Sequence, residues 1–249
     1  MTGTLTVVGL GPGGPAHRTR AAEDAVRDAQ LVLGYHAYLA ACADLTGPNQ
    51  RVQPSDIGAE QQRAEDAVRV AAGGVRVALV SSGDAGIYGM ASLALTTAAA
   101  LPPAQRPAVR VVPGVTAAVA AAALLGAPLA RDFACRTLSD VLTPWEAAET
   151  PLRAVAAADL VRALYNPRSR GRSWQLGRAR DVLAAYRPGD TPVGLVTDAG
   201  RADEQVELTT LATLDPARAG MNTVVIVGGA STSRLGNWLV TARSLGTQP

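Results

Sequence analysis

Short runs of branched aliphatic residues alternate along this chain with alanine-rich stretches whose polar positions return at helical spacing, the pattern of a parallel α/β architecture. Strands are predicted over Leu5–Val8, Leu31–Leu33, Val75–Val80, Val109–Val112, Leu160–Leu164, Val193–Val196 and Val224–Val227. Helices are predicted from Arg20 to Ala29, Glu60 to Ala72, Gly89 to Ala100, Thr116 to Leu125 and Trp174 to Tyr186. Gln205–Leu214 is ambiguous in pattern and reads best as a strand followed by a turn. Thr143-Pro144-Trp145-Glu146 opens a further helix, with Thr143 as N-cap, Pro144 at N1 and Glu146 at N3 closing a capping box. Pro151 is expected to break or restart that helix within two turns. A domain boundary follows Val112-Pro113-Gly114, which gives an N-terminal α/β domain over 1–115 and a C-terminal one over 116–249.

Composition narrows the picture. The chain has 249 residues, 48% of them hydrophobic, enough for a large core in one big domain or two small ones. No apolar run approaches the ~20 residues that span a bilayer, and Met1–Leu10 lacks the basic and apolar regions of a secretory leader. Cys42 and Cys135 form no CxxC pair, and His17 and His36 have no metal-ligand spacing. A soluble, cytoplasmic, metal-free protein is expected. The net charge of +2 is too mild to call for nucleic acid. Every basic residue is arginine, so a Schiff-base or lysine-nucleophile mechanism is excluded.

The chemistry gathers at strand ends. Ser81-Ser82-Gly83-Asp84-Ala85-Gly86-Ile87-Tyr88-Gly89-Met90-Ala91 follows a buried strand, and its glycines let backbone approach a small polar ligand. Asp84 is its only charge and must be solvated, paired or in contact with a ligand, unless it merely caps the next helix. Gly9-Leu10-Gly11-Pro12-Gly13 approaches a dinucleotide fingerprint, but its spacing fails, Pro12 removes an amide, and no acidic residue ends the second strand. A nicotinamide cofactor is therefore disfavoured. Pro113-Gly114-Val115-Thr116-Ala117 is a second strand-end turn, in which Thr116 either caps a helix or offers its hydroxyl to a ligand. Tyr165-Asn166-Pro167 ends another strand and Met221-Asn222-Thr223 precedes the last; each alone also fits plain turn chemistry. Between residues 162 and 187 lie the arginines at 162, 168, 170, 172, 178, 180 and 187, against Asp181 alone. They form either a solvated face or a set of forked donors for a ligand with several carboxylates. Few aromatic residues accompany them, which counts against single-stranded nucleic acid.

Taken together, these segments resemble the tetrapyrrole methylase superfamily of S-adenosylmethionine-dependent methyltransferases. The strings SSGDAGIYGMA, VVPGVTAAVAAAALLGAPL, LSDVLTPW and ALYNPRSRGRSWQL are similar to those of its precorrin-3B C17-methyltransferase group, from about Leu5 to Val227. GLGPG and the SGD turn mark only the superfamily; Leu138–Trp145 and Tyr165–Arg172 are the more specific.

The resemblance implies two α/β domains with S-adenosyl-L-methionine in the interdomain cleft, a polycarboxylate tetrapyrrole substrate, and a homodimer. It implies cofactor contacts from Gly83, Asp84, Ile87, Tyr88, Thr116, Ala117, Tyr165, Asn166, Met221, Asn222 and Thr223. Substrate contacts are implied for Gly11, Pro12, Gly13, Ser139, Asp140, Thr143, Arg168, Arg170 and Arg172. The implied reaction methylates C17 of precorrin-3B with ring contraction to precorrin-4, or its cobalt-loaded counterpart, for which closely similar enzymes exist. An enamine-like acceptor carbon needs no strong base, but contraction must move a proton, and Asp84, Asp140 and Tyr165 are the candidate groups. Arg131, Cys135-Arg136-Thr137, Asn222 and Gly228-Gly229-Ala230 depart from the group's pattern.

Overall fold

A computed structural model describes residues 2–139, 144–169 and 171–243, which divide into two compact units, Met1–Ala117 and Ala118–Pro249. In the first unit the strands are β1 (Thr4–Gly9), β2 (Leu31–Tyr35), β3 (Arg51–Ser55), β4 (Arg76–Ser81) and β5 (Ala108–Val112). They form one parallel sheet in the order β3-β2-β4-β1-β5. The helices are α1 (Arg20–Arg27), α2 (His36–Ala41), α3 (Glu60–Ala72) and α4 (Ala91–Ala99). Alternation along the strands sorts the core into two layers. Leu5, Val7, Leu31, Leu33 and Leu79 pack under α3 and α4. Val8, Val32, Ala78 and Val80 face α1 and α2 through Ala22, Val26 and Leu39. β3 escaped the sequence pattern because it is a polar edge strand, where Pro54 is tolerated.

The second unit begins within α5 (Ala117–Leu125) and continues through β6 (Gly126–Ala127), β7 (Phe133–Thr137), α6 (Trp145–Ala157), β8 (Val161–Tyr165), α7 (Gln175–Ala184), β9 (Pro192–Thr197), β10 (Gln205–Thr210), β11 (Thr223–Val227), β12 (Thr232–Leu235) and β13 (Trp238–Thr241). Its main sheet runs β10-β9-β11-β8-β7 and is not the parallel sheet that the sequence pattern suggested. Only β7 and β8 are parallel; β11 runs against both β8 and β9, and β10 runs against β9. No helix of crossover length separates β9, β10 and β11, and hairpin-like connections favour antiparallel pairing. α6 and α7 cover one face through Leu152, Ala156, Leu176, Ala179 and Leu183. On the opposite face a methyl at Gly194 would come within 2.5 Å of the Leu125 side chain, so this glycine admits α5. β12, β13 and β6 form a small third sheet.

Two local expectations are corrected. α6 starts at Trp145 with Pro144 itself as the N-cap, one place later than expected, and Thr143 lies outside the described residues. Pro151 does not break α6, which continues to Ala157 with Leu152 and Ala156 anchored in the core. Burial of that face outweighs the one hydrogen bond that proline removes. Among the described residues no helix is long and apolar enough to cross a membrane.

Candidate functional site

In the first unit, parallel pairing gathers the carboxyl ends of β1, β4 and β5 at one edge, with Gly9 opposite Ser81. The turns beyond these strands are bonded to each other. Gly11 N–H donates to Gly83 O at 3.0 Å, and Gly83 N–H returns a bond to Gly11 O at 2.7 Å. A methyl at Gly114 would overlap Gly83 O and approach Gly9 O to 2.6 Å, while one at Gly9 would lie 2.7 Å from Gly114 N. The three turns therefore pack main chain on main chain, which only glycine allows. Asp84 ties them further: Oδ1 accepts from Gly86 N–H at 2.7 Å and Oδ2 from Gly114 N–H at 3.0 Å. It does not cap α4, whose N-cap is Met90.

Ile87 and Tyr88 follow on the same turn with exposed side chains, 37% and 49% accessible. Tyr88 holds a left-handed backbone, φ 54°, a strained state for an aromatic residue that concentrates at functional sites. Gly11 and Pro12 are buried beside this edge, and Gly13 is half-buried. Thr116 and Ala117 follow Gly114 at the entry to α5.

In the second unit, the register brings Thr137 beside Tyr165 and Thr197 beside Thr223, so β7, β8 and β9 end where β11 begins. Hydroxyls line this edge. Thr197 and Thr223 share a 2.8 Å hydrogen bond, and Thr223 Oγ1 also accepts from Gly220 N–H at 2.9 Å. Thr137 Oγ1 accepts from Asn166 Nδ2 at 3.0 Å and from Ser139 N–H at 3.1 Å. Asn166, with φ 51°, is the second left-handed non-glycine residue of the candidate set; Asp198, with φ 52°, accepts from Asn222 Nδ2 at 2.8 Å. Tyr165 is buried, and its Oη accepts from Ala118 N–H at 2.9 Å, in the first turn of α5. Burial raises the Cys135 thiol above its ordinary value, and a hydrogen bond with Tyr165 partly offsets this. Met221 leaves its side chain 51% exposed at the mouth of β11. Thr137, Thr197 and Asp198 were not foreseen: isolated threonines and a turn aspartate carry no motif, and only the strand register brings them together.

The arginine run does not form one common face. Arg162 is wholly buried on β8, donating to Val155 O, Ala156 O and Gly228 O at 2.8, 2.9 and 3.3 Å, and so closes the C-terminal end of α6. Burial, then the neighbouring Arg187, lowers its pKa to about 10. Arg178 pairs with Glu149, Arg180 with Asp181, and Arg187 with Asp159. Arg172 donates to Asn166 O at 2.9 Å and reaches Leu138 O at 3.4 Å, and Arg168 donates to Ala217 O at 3.2 Å. Asp140, Thr143 and Arg170 lie outside the described residues.

Residues 4–215 match the family profile of the Tetrapyrrole (Corrin/Porphyrin) Methylases. The chain belongs to that family. It is 44% identical over 241 residues, 96% of this chain and 98% of the other, to a probable cobalt-factor III C(17)-methyltransferase of Salmonella typhimurium. It is also 44% identical over 234 residues, 93% and 91% of the two chains, to a precorrin-3B C(17)-methyltransferase of a Sinorhizobium species. The crystal structure of the methyltransferase CobJ superposes with a TM-score of 0.92 at 37% identity, covering 97% of this chain and 100% of that one. Like that structural relative, this tetrapyrrole methylase is a mixed α/β protein. Its Met221–Thr223 segment lies past the matched span, whereas every other candidate site residue falls within it.

Proposed function

We propose that this tetrapyrrole methylase is an S-adenosylmethionine-dependent C-methyltransferase of corrin assembly that methylates C17 of precorrin-3B with coupled ring contraction. The observation carrying the reading is 44% identity over nearly the whole chain to relatives named C(17)-methyltransferases. The cobalt-loaded macrocycle is the second reading, favoured by the name of the Salmonella relative.

The residues fit the cofactor. Gly9 and Gly114 let the strand-end turns close on one another, Gly83 holds a left-handed backbone between them, and exposed Ile87, Tyr88 and Met221 offer apolar surface for an adenosine and its thioether. Gly83, Ile87, Tyr88, Thr116, Ala117, Tyr165, Asn166 and Met221–Thr223 are the residues that would hold it. When bound, the sulfonium supplies an electrophilic methyl, and the protein's task is alignment of donor with acceptor carbon. Asp84 and Tyr165 serve that task as positioning residues, since their oxygens hold backbone amides. Ser139, Arg168 and Arg172, with Arg170 between the two arginines in sequence, are the residues that would meet the substrate's acidic arms. Asp140 keeps the role of proton carrier in contraction, and unaltered turnover in Asp140→Asn would overturn that role. The active form is a homodimer in the cytoplasm, which sedimentation of the purified protein checks for the oligomer.

Calorimetric titration with S-adenosylhomocysteine, with NAD as control, tests the reading. Micromolar binding of the former alone, then labelled-methyl transfer to precorrin-3B, is the expected result. Binding of NAD, or of neither, overturns it. Running the transfer assay with the cobalt-loaded macrocycle in parallel separates the two substrate readings.

A further inference from the structure

A groove of about 450 Å³ opens on the helical layer of the second unit, lined by Trp145, Glu149, Thr150, Arg153, Trp174 and Arg178. Its position follows from topology. α6 starts after β7 and α7 starts after β8, so Trp145 and Trp174 stand at the N-terminal ends of both helices. That is the end of the sheet where Thr137 and Tyr165 lie. The two indoles meet edge to face, 5.1 Å between centroids and 70° between planes, and Trp174 is 51% exposed. Beneath them Glu149 is fully engaged. It accepts from Trp145 Nε1 at 2.9 Å, from Arg178 Nε and Nη2 at 3.0 and 2.9 Å, and from Arg153 Nε at 3.0 Å.

Among the described lining residues the charge count is uneven: two guanidinium groups face one carboxylate, a net +1. Arg178 uses Nε and Nη2 on Glu149, and its Nη1 lies outside that pair. One more carboxylate balances the set; the Nε and Nη2 of both arginines are spent on Glu149, which holds the guanidinium groups in place and leaves Nη1 to make the new charge-assisted contact. The exposed indole face beside it suits a flat conjugated ring. The volume accommodates one five-membered heterocycle with its acid arms.

We propose that this groove is a subsite for one carboxylate-bearing pyrrole ring of the tetrapyrrole substrate, stacked on Trp174 and bound through its acid arm to Arg178 and Arg153. The inference rests on the methyltransferase reading and deepens it, by naming where the rim of the substrate is held. It also gives the two specific strings a shared task, since Trp145 closes the first and Trp174 follows the second by two residues in sequence.

The test titrates the intact protein with uroporphyrin, a soluble octacarboxylate tetrapyrrole, following quenching of tryptophan emission in a Trp238→Phe background that retains only Trp145 and Trp174. Arg178→Gln is expected to weaken uroporphyrin binding about tenfold, the size of one charge-assisted contact. Trp174→Ala weakens it several-fold, Arg178→Lys restores part of the loss, and S-adenosylhomocysteine affinity stays within about twofold in every variant. Unchanged uroporphyrin affinity in both Arg178→Gln and Trp174→Ala, with S-adenosylhomocysteine still bound, overturns the subsite alone. Failure of the parent protein to bind S-adenosylhomocysteine overturns the reading beneath it.

Discussion

Asp84→Ala distinguishes a carboxylate that touches ligand from one that builds the loop. In the structure Asp84 accepts two backbone N–H bonds, from Gly86 at 2.7 Å and from Gly114 at 3.0 Å, joining the turn after β4 to the turn after β5. A bond to a charged acceptor contributes about 1.5–3 kcal/mol, and partial exposure of Asp84 favours the lower end. Loss of both bonds therefore costs about 3 kcal/mol. At about 2–4 °C per kcal/mol for a chain of this length, the midpoint of thermal unfolding falls by roughly 6–12 °C. Asp84→Asn keeps one acceptor and loses about half as much, because its amide then points a donor at a donor. The assay is calorimetric unfolding without ligand, followed by titration with S-adenosylhomocysteine. Weakened binding should accompany the lost stability. An Asp84→Ala protein that unfolds within 2 °C of the parent yet no longer binds would refute the argument, because that is the signature of a residue used only by the ligand.

Gly114→Ala should abolish S-adenosylhomocysteine binding, because the added carbon overlaps Gly83 O and lies 2.6 Å from Gly9 O; Gly47→Ala, whose nearest neighbour is 4.0 Å away, should match the parent in the same titration. Arg162→Ala should cost about 3–5 kcal/mol in urea unfolding, since it leaves a cavity and strips donors from three buried carbonyls. Arg162→Met fills the space and should lose less. Arg178 first, then Arg153 and Trp145, pull the Glu149 carboxylate down to about 2. A carboxylate depressed on folding stabilises fully above its ordinary value and loses that contribution as pH falls through the folded one. The stability gap between parent and Glu149→Gln should therefore be complete at pH 6, narrow below about 4.5, and close near 2, as read by unfolding midpoints across that range.

β1, β2 and β4 were legible because each is an apolar run whose two faces are both buried, so hydrophobicity alone marks it. The turns of the site were legible for a related reason: backbone contact demands glycine, and glycine is visible in a sequence. β7, with Cys135 and Arg136 in its middle, and the edge strand β3 carried no such mark. The direction of β11 was hidden as well, because Val224–Val227 reads the same whichever way its neighbours run. The arginine run was the most misleading signal. Linear proximity suggested a shared surface, but burial of β8 sends Arg162 inward while α7 carries Arg178 and Arg180 to separate partners.

The turns of the first unit are fastened by bonds between peptide groups, so their shape is set before any ligand arrives. Little conformational freedom then remains to be lost on binding, and the pocket should accept its guest quickly, without a slow rearrangement. The same construction governs evolutionary drift. Side chains on these loops other than Asp84 can be exchanged at small cost, as long as the three α-carbons at 9, 83 and 114 stay bare. Divergence in what such a protein acts upon is thereby directed to the threonine-lined edge and the paired indoles of the second unit, where recognition depends on side chains.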